Sequence, residues 1–135
     1  MKPLILINFK TYAESSGARG IELARKLAAV RKNGYEVAVA PSLLILREIA
    51  KNADMPVFSQ HADPVLSGPH TGSISIDELA SLPIRGTLLN HSECKLPFSI
   101  IKKTIDLCKK KKIKTVVCAS SLAEVKAIAP LHPDY

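Results

Sequence analysis

The sequence predicts an α/β fold with a parallel sheet, and three observations lead to that reading. Short apolar runs begin near positions 4, 36, 56, 86 and 115, recurring about every 28 residues. Between them lie stretches with apolar residues at helical spacing, so strand and helix alternate, which implies parallel strands joined by right-handed crossovers. The first, third and fourth runs end in clusters of polar side chains, and in parallel folds ligands bind beyond the carboxyl ends of the strands.

Leu4-Ile5-Leu6-Ile7 is a continuous apolar run, as expected of a strand covered on both faces, and it ends in Asn8-Phe9-Lys10-Thr11-Tyr12. From Gly17 to about Arg31, Ile21, Ala24, Leu27 and Ala28 oppose Arg19, Glu22, Arg25 and Lys26, an amphipathic helix stopped near Asn33-Gly34. Val37 to Ala40 is the second strand. Pro41-Ser42 leads into a helix through Leu43, Leu46, Ile49 and Ala50, with Ser42 as its expected N-cap. The third strand, Pro56 to Gln60, opens onto His61 and a loop running to Ser75 that contains Pro64, Gly68, Pro69 and Gly72. A compact domain seldom carries a loop of that length without a function for it.

Ser75 and Glu78 have the spacing of a capping box before a short helix through Leu79 and Leu82. The fourth strand begins at Gly86 and runs into Asn90-His91-Ser92-Glu93, an amide, an imidazole, a hydroxyl and a carboxylate in succession. The local alternative is that Asn90 or Ser92 caps the next helix. That helix is expected from Pro97 at a first helical position, with Phe98, Ile101, Ile105 and Cys108 as its apolar stripe. Cys108 therefore reads as a core residue. Thr115 to Cys118 is the fifth strand; Ser121 and Glu124 form a second capping box before a helix with Val125 and Ile128, ended by Pro130 and Pro133. Asp134 and Tyr135 can begin a sixth strand.

Bulk properties narrow the function classes. With 135 residues, 47% hydrophobic and 23% charged, the expectation is one globular domain over residues 1–135. The net charge of +7 admits an anionic partner, although Lys109 to Lys112 account for much of it as a solvated block at a helix C-terminus. Aromatic residues are only 4% and Trp is absent, so stacking platforms for nucleic acid are missing. Leu4 to Ile7 is too short for a signal peptide or membrane span, and three widely spaced cysteines fit reduced thiols, so a cytoplasmic protein without a membrane partner is expected. His91 and Cys94 lack a second pair at ligand spacing, so no metal site is expected.

On architecture the residues leave two choices. Five units suffice for an open doubly wound sheet, whereas an eight-fold barrel ordinarily needs about 200 residues or more. The motifs favour the barrel. Asn8-Phe9-Lys10, Gln60-His61, Gly68-Pro69-His70-Thr71-Gly72 and Asn90-His91-Ser92-Glu93 together resemble the triosephosphate isomerase family, and Leu89-Asn90-His91-Ser92-Glu93 is similar to its compact archaeal branch.

That resemblance implies a TIM (β/α)8 barrel of which this chain covers about the first five βα units. It also implies an isomerase of glycolysis and gluconeogenesis that interconverts D-glyceraldehyde 3-phosphate and dihydroxyacetone phosphate through an enediolate, without a cofactor. Lys10 and Asn8 would then meet the negative charge on the substrate oxygens, and His91 would be the electrophile that moves protons between them. Glu93 would orient Lys10, Ser92 would support the helix start, and Asn90 would support the same turn. The loop with Gln60, His61 and Thr71 would enter a neighbouring subunit, which implies a homo-oligomer, dimer or tetramer.

The sequence departs from the family at Ser73, where many members have an acid, and at Cys94-Lys95, where many have arginine. Both leave interface or supporting salt bridges open. The family's general base, a glutamate on a lid after strand 6, has no counterpart, since the acids after Glu93 are Asp106, Glu124 and Asp134. The 135 residues alone are therefore expected not to isomerise at an enzymatic rate, with further sequence or a complementing C-terminal chain supplying the base. The alternative is a non-catalytic phosphate-binding or interaction module built on the same scaffold.

Overall fold

The computed structural model describes residues 3–30 and 34–135. The chain divides into two compact units, Met1–Gln60 with Leu82–Arg85, and His61–Ser81 with Gly86–Tyr135. Strands and helices alternate as the periodicity predicts: β1 Leu4–Asn8, α1 Gly17–Ala28, β2 Glu36–Ala40, α2 Leu43–Asn52, β3 Phe58–Ser59, α3 Ile76–Ala80, β4 Gly86–Leu89, α4 Phe98–Lys110, β5 Lys114–Val117 and α5 Leu122–Ile128. The expected helix end near Arg31 and Asn33 lies outside the described residues.

In the first unit β1 and β2 pair in parallel, with Leu4 opposite Glu36 and Asn8 opposite Ala40. Val57 bridges to Val39 and brings β3 beside β2. Phe58, Val39 and Leu46 are buried at the centre, and each such side chain contributes about 1.5–3 kcal/mol when fully removed from water. β1 is less covered than its apolar run suggests, because Ile5 remains 45% exposed. Among the described residues β1 pairs only with β2, which leaves its other edge without a strand partner.

Helix α1 packs its Gly20 against its neighbours. A Cβ there would lie 2.3 Å from the Ser15 carbonyl oxygen and 2.6 Å from Ile45 Cδ1. That close approach accounts for a mid-helix glycine, which otherwise costs about 1 kcal/mol relative to alanine. In α2 the buried face is Ile45, Leu46, Ile49 and Ala50, while Leu43 is half-exposed. Three of the four expected positions are buried, and Ile45 takes the place expected for Leu43. Ser42 is the N-cap residue, but its side chain makes no capping bond, so its preference is expressed only through an extended backbone. Arg85 pairs with Glu36 and ties the 82–85 segment to β2.

In the second unit β4 and β5 pair in parallel, Gly86 opposite Lys114 and Leu89 opposite Val117. Every residue of β4 is buried. The Tyr135 amide donates to the Thr115 carbonyl at 3.0 Å and its carbonyl accepts from Val117 at 3.0 Å, which is parallel pairing of Tyr135 beside β5. Both predicted caps form on their serine side: Ser75 Oγ accepts the Glu78 amide at 3.2 Å and Ser121 Oγ accepts the Glu124 amide at 3.1 Å. Helix α4 begins one residue later than expected, with Pro97 as its N-cap. Its buried stripe is Ile101, Thr104, Ile105 and Cys108; Phe98 is half-exposed. Thr104 enters the core because its hydroxyl donates to the Ile100 carbonyl at 2.8 Å.

The lysine block is more than a solvated end. Lys109 Nζ donates to the Leu131 carbonyl at 2.8 Å, and Lys111 Nζ lies 2.5 Å from Asp77 Oδ1. Asp77 Oδ2 also accepts the Ser67 amide at 2.8 Å. The Lys111 contact first, then the Ser67 amide, hold the Asp77 carboxyl at about 2, below its ordinary 3.8. A carboxyl with a depressed folded value contributes stability above its unfolded pKa and loses it as pH falls through the folded one. Wild-type stability is therefore expected to drop between about pH 4 and pH 2 more steeply than that of Asp77→Asn, by urea denaturation followed by circular dichroism. Equal slopes in that window would contradict this assignment.

Candidate active site

At the end of β1 the backbone of Lys10 is left-handed, with φ +50°. For a lysine this conformation costs about 1–2 kcal/mol. It is held from both sides. The Lys10 amide donates to Asn8 Oδ1 at 2.9 Å, and its carbonyl accepts from Gln60 Nε2 at 2.9 Å. Gln60 Nε2 also reaches the Ala40 carbonyl at 3.0 Å and Asn8 Oδ1 at 3.3 Å, so one amide group ties together the ends of β1, β2 and β3. An NH2 group has two hydrogens for these three oxygens, so one bond is shared. Both bonds to Asn8 use Oδ1, which turns its Nδ2 donor the other way. The Lys10 ammonium lies 5.9 Å from the Tyr12 ring centroid, at the edge of cation–π reach. Strained backbone in ligand-facing loops is where function is commonly found.

The other left-handed residues separate into two kinds. Lys112, φ +59°, follows the end of α4, and His132, φ +51°, follows a short 3-10 turn at Ala129–Leu131, both ordinary helix terminations. Asn90, φ +56°, stands at the end of β4 and matches Lys10 at the end of β1.

Asn90 is 1% exposed and fully bonded. Its Nδ2 donates to the Cys118 carbonyl at 2.8 Å and to Glu124 Oε1 at 2.7 Å, while Oδ1 accepts the Leu96 amide at 2.9 Å. The end of β4 is thereby fastened to β5 and α5. Glu124 is the hub: Lys95 Nζ lies 2.6 Å from Oε1, and the Ser120 amide and hydroxyl donate to Oε2 at 2.6 and 2.8 Å. Lys95 first, then the Ser120 amide and Asn90, hold the Glu124 carboxyl well below the usual carboxylate range. Lys95 thus makes a supporting ion pair of the kind left open from sequence. Glu124 read only as a cap partner there, because its other partners come from positions distant in the chain.

His91 follows Asn90 and is partly exposed. Its Nδ1 accepts the Glu93 amide at 3.2 Å. An accepting Nδ1 places the ring proton on Nε2, so this contact leaves Nε2–H as the donor. The Glu93 carboxylate lies 3.5 Å from the same nitrogen, a looser contact than the amide. Ser92 is exposed in a turn five residues before the Pro97 N-cap, so it does not start a helix. The cap reading of Asn90 and Ser92 fails for the same reason.

The loop from His61 to Ser75 is closed at its neck. The Asp63 amide donates to the Ile74 carbonyl at 2.9 Å, and the Ile74 amide donates to Asp63 Oδ2 at 2.7 Å. Thr71 is exposed at the tip beside Gly72, whose φ is +88°. His61 Nε2 lies 3.2 Å from Asp63 Oδ1. Asn8, Lys10 and Gln60 therefore meet in the first unit, and Asn90, His91 and Glu93 in the second. Among the described residues no three His, Cys, Asp or Glu side chains are grouped to hold a metal ion.

The family model for triosephosphate isomerase matches residues 3–129. The chain belongs to the triosephosphate isomerase family. It is 41% identical over 133 residues to the triosephosphate isomerase of Methanobrevibacter smithii, covering 98% of this chain and 60% of that protein. Against the protein of the same name from Methanocaldococcus jannaschii the figures are 41%, 98% and 61%, and against that of Methanococcoides burtonii 38%, 100% and 62%. The chain spans about three-fifths of the length of these curated relatives. Family membership assigns its parallel βα units to the TIM barrel and not to the open doubly wound sheet. Three archaeal relatives also agree with the branch that the Leu89 to Glu93 motif resembles.

Proposed function

We propose that the chain is the N-terminal part of an archaeal-type triosephosphate isomerase, with residues 1–135 belonging to one barrel domain. The reaction moves a proton between adjacent carbons of a phosphorylated triose, and the enediolate between them carries charge on two oxygens. The observation that carries the proposal is the His91 ring, whose Nδ1 accepts the Glu93 amide and whose Nε2–H is thereby the donor. A neutral imidazole can give a proton to one substrate oxygen and take one from the other. Lys10 supplies a fixed cation and Asn8 an amide donor; Gln60 acts as a positioning residue through the Lys10 carbonyl. Asn90 supports the turn that carries His91, Ser92 lines the same turn, and Glu93 keeps the Lys10-orienting role that the resemblance implies.

The base that takes the carbon-bound proton is not found among the later acids. Asp106 is paired with Lys102 at 2.7 Å, Glu124 is fully engaged, and Asp134 accepts from Lys114 and the Thr115 amide, both at 2.9 Å. All three carboxyls lie below their ordinary values; for Asp134 burial opposes this and the Lys114 and Thr115 bonds outweigh it. A good base at neutral pH needs a raised value. The 135 residues alone are accordingly inactive at an enzymatic rate, and a complementing C-terminal portion supplies the base. The exposed tip at Thr71 on a loop closed at its neck suits insertion into a second copy, so the assembled enzyme is a homo-oligomer. Among the described residues no helix is long and apolar enough to cross a membrane, and we assign the enzyme to the cytoplasm.

A coupled assay with glyceraldehyde 3-phosphate tests this reading. The purified 135-residue chain is expected to show no enzymatic turnover, and turnover is expected on adding the C-terminal remainder of the Methanobrevibacter smithii relative. Normal turnover by the chain alone would contradict the missing base. Failure of every such combination, with the chain folded, would favour the non-catalytic module.

A further inference from the structure

We propose that Cys94 is a thiol modification site, at which His61 takes the sulfur-bound proton, Asp63 holds His61, and the reaction partner is a low-molecular-weight disulfide. All three residues belong to the second unit. Cys94 Sγ lies 4.0 Å from His61 Nδ1, and His61 Nε2 lies 3.2 Å from Asp63 Oδ1. The carboxylate takes the Nε2–H, which leaves the Nδ1 lone pair facing the thiol. Nucleophile, base and base-orienting acid is the arrangement that activates cysteine nucleophiles. The 4.0 Å contact is at the outer reach of S–H···N bonding, and contacts of this kind commonly tighten only in the reacting complex.

The supports are themselves hydrogen-bonded. Asp63 Oδ2 is occupied by the Ile74 amide at 2.7 Å, which leaves Oδ1 directed at the imidazole, and the Cys94 amide donates to the His91 carbonyl at 2.8 Å. The other two thiols serve as internal comparisons. Cys108 is buried in α4, and burial, then Asp134, pushes its thiol up to about 12. Cys118 is half-buried and burial raises it as well. Cys94 is exposed.

In the reaction the Cys94 sulfur attacks one sulfur of R–S–S–R as its proton passes to His61 Nδ1. A Cys94–S–S–R bond forms, the R–S–S–R bond breaks, and the departing thiolate takes the proton from the imidazolium to leave as RSH. No external oxidant is needed, because the disulfide is consumed.

The test uses 5,5′-dithiobis(2-nitrobenzoic acid) as the disulfide at neutral pH, on the whole chain, with intact and peptide mass analysis. One equivalent is expected at Cys94, about 10-fold or more faster than the per-thiol rate in the urea-unfolded chain. Cys94→Ser should remove the fast phase, and His61→Gln should lower it to the unfolded rate. A native Cys94 that reacts no faster than the unfolded chain overturns the proposal. So does first labelling at Cys118, or a folded His61→Gln chain that keeps the fast phase. Should His61→Gln not fold, the native-to-unfolded ratio of the unmutated chain decides.

Discussion

If the chain works as proposed once its complementing portion is added, replacing His91 by glutamine is expected to lower kcat by about 10²–10⁴-fold, with KM changed far less. Glutamine keeps a donor of similar reach but cannot take a proton back. On the proposed function the loss falls on the transfer between substrate oxygens, and the binding proposed for Lys10 and Asn8 is retained. Steady-state kinetics of the variant, reconstituted as the unmutated chain is, measures the split. An unchanged kcat would remove His91 from the reaction, and a loss confined to KM would reduce it to a binding group.

The second large effect concerns stability. Asn90→Leu is expected to cost about 3–5 kcal/mol, read as a lower urea midpoint with an unchanged slope. Asn90 is 1% exposed and makes three bonds, to Leu96, Cys118 and Glu124. Leucine breaks all three and leaves the Leu96 amide and the Cys118 carbonyl without that side chain. It must also adopt φ +56°, which asparagine tolerates better than leucine. Asn90→Gly separates the two contributions, since it relieves the backbone and still loses the bonds. A cost under about 1 kcal/mol for Asn90→Leu would mean that the bracket between β4, β5 and α5 contributes little.

Periodicity and strand-end chemistry were legible because they are local. The alternation of apolar runs with helical stripes located the five strands and five α-helices of the described residues, and Ser75 and Ser121 announced caps that form. The errors came where a tertiary neighbour decides the outcome. Ser42 has the right residue type at the right position and makes no bond. Phe98 fits the stripe of α4, yet Thr104 is buried because its hydroxyl has a partner one turn back. The lysines at 109 to 112 read as a solvated run, but Asp77 and the Leu131 carbonyl engage two of them.

The candidate site divides in the same way. Asn8, Lys10 and His91 were visible as polar groups at strand ends. Their supports were not, since Gln60 reaches the Lys10 carbonyl across 50 positions and Glu124 reaches Asn90 across 34. Left-handed backbone at Lys10 had no glycine to announce it. Cys94 had no explanation from sequence because His61 lies 33 positions away.

The central claim is that this chain carries the electrophilic half of a proton-transfer site, with a neutral His91 donating from Nε2. Nitrogen-15 chemical shifts of the His91 ring at neutral pH test it most directly. The structure predicts an unprotonated Nδ1 and a protonated Nε2. A protonated Nδ1, whether as the other tautomer or as the imidazolium, would contradict it.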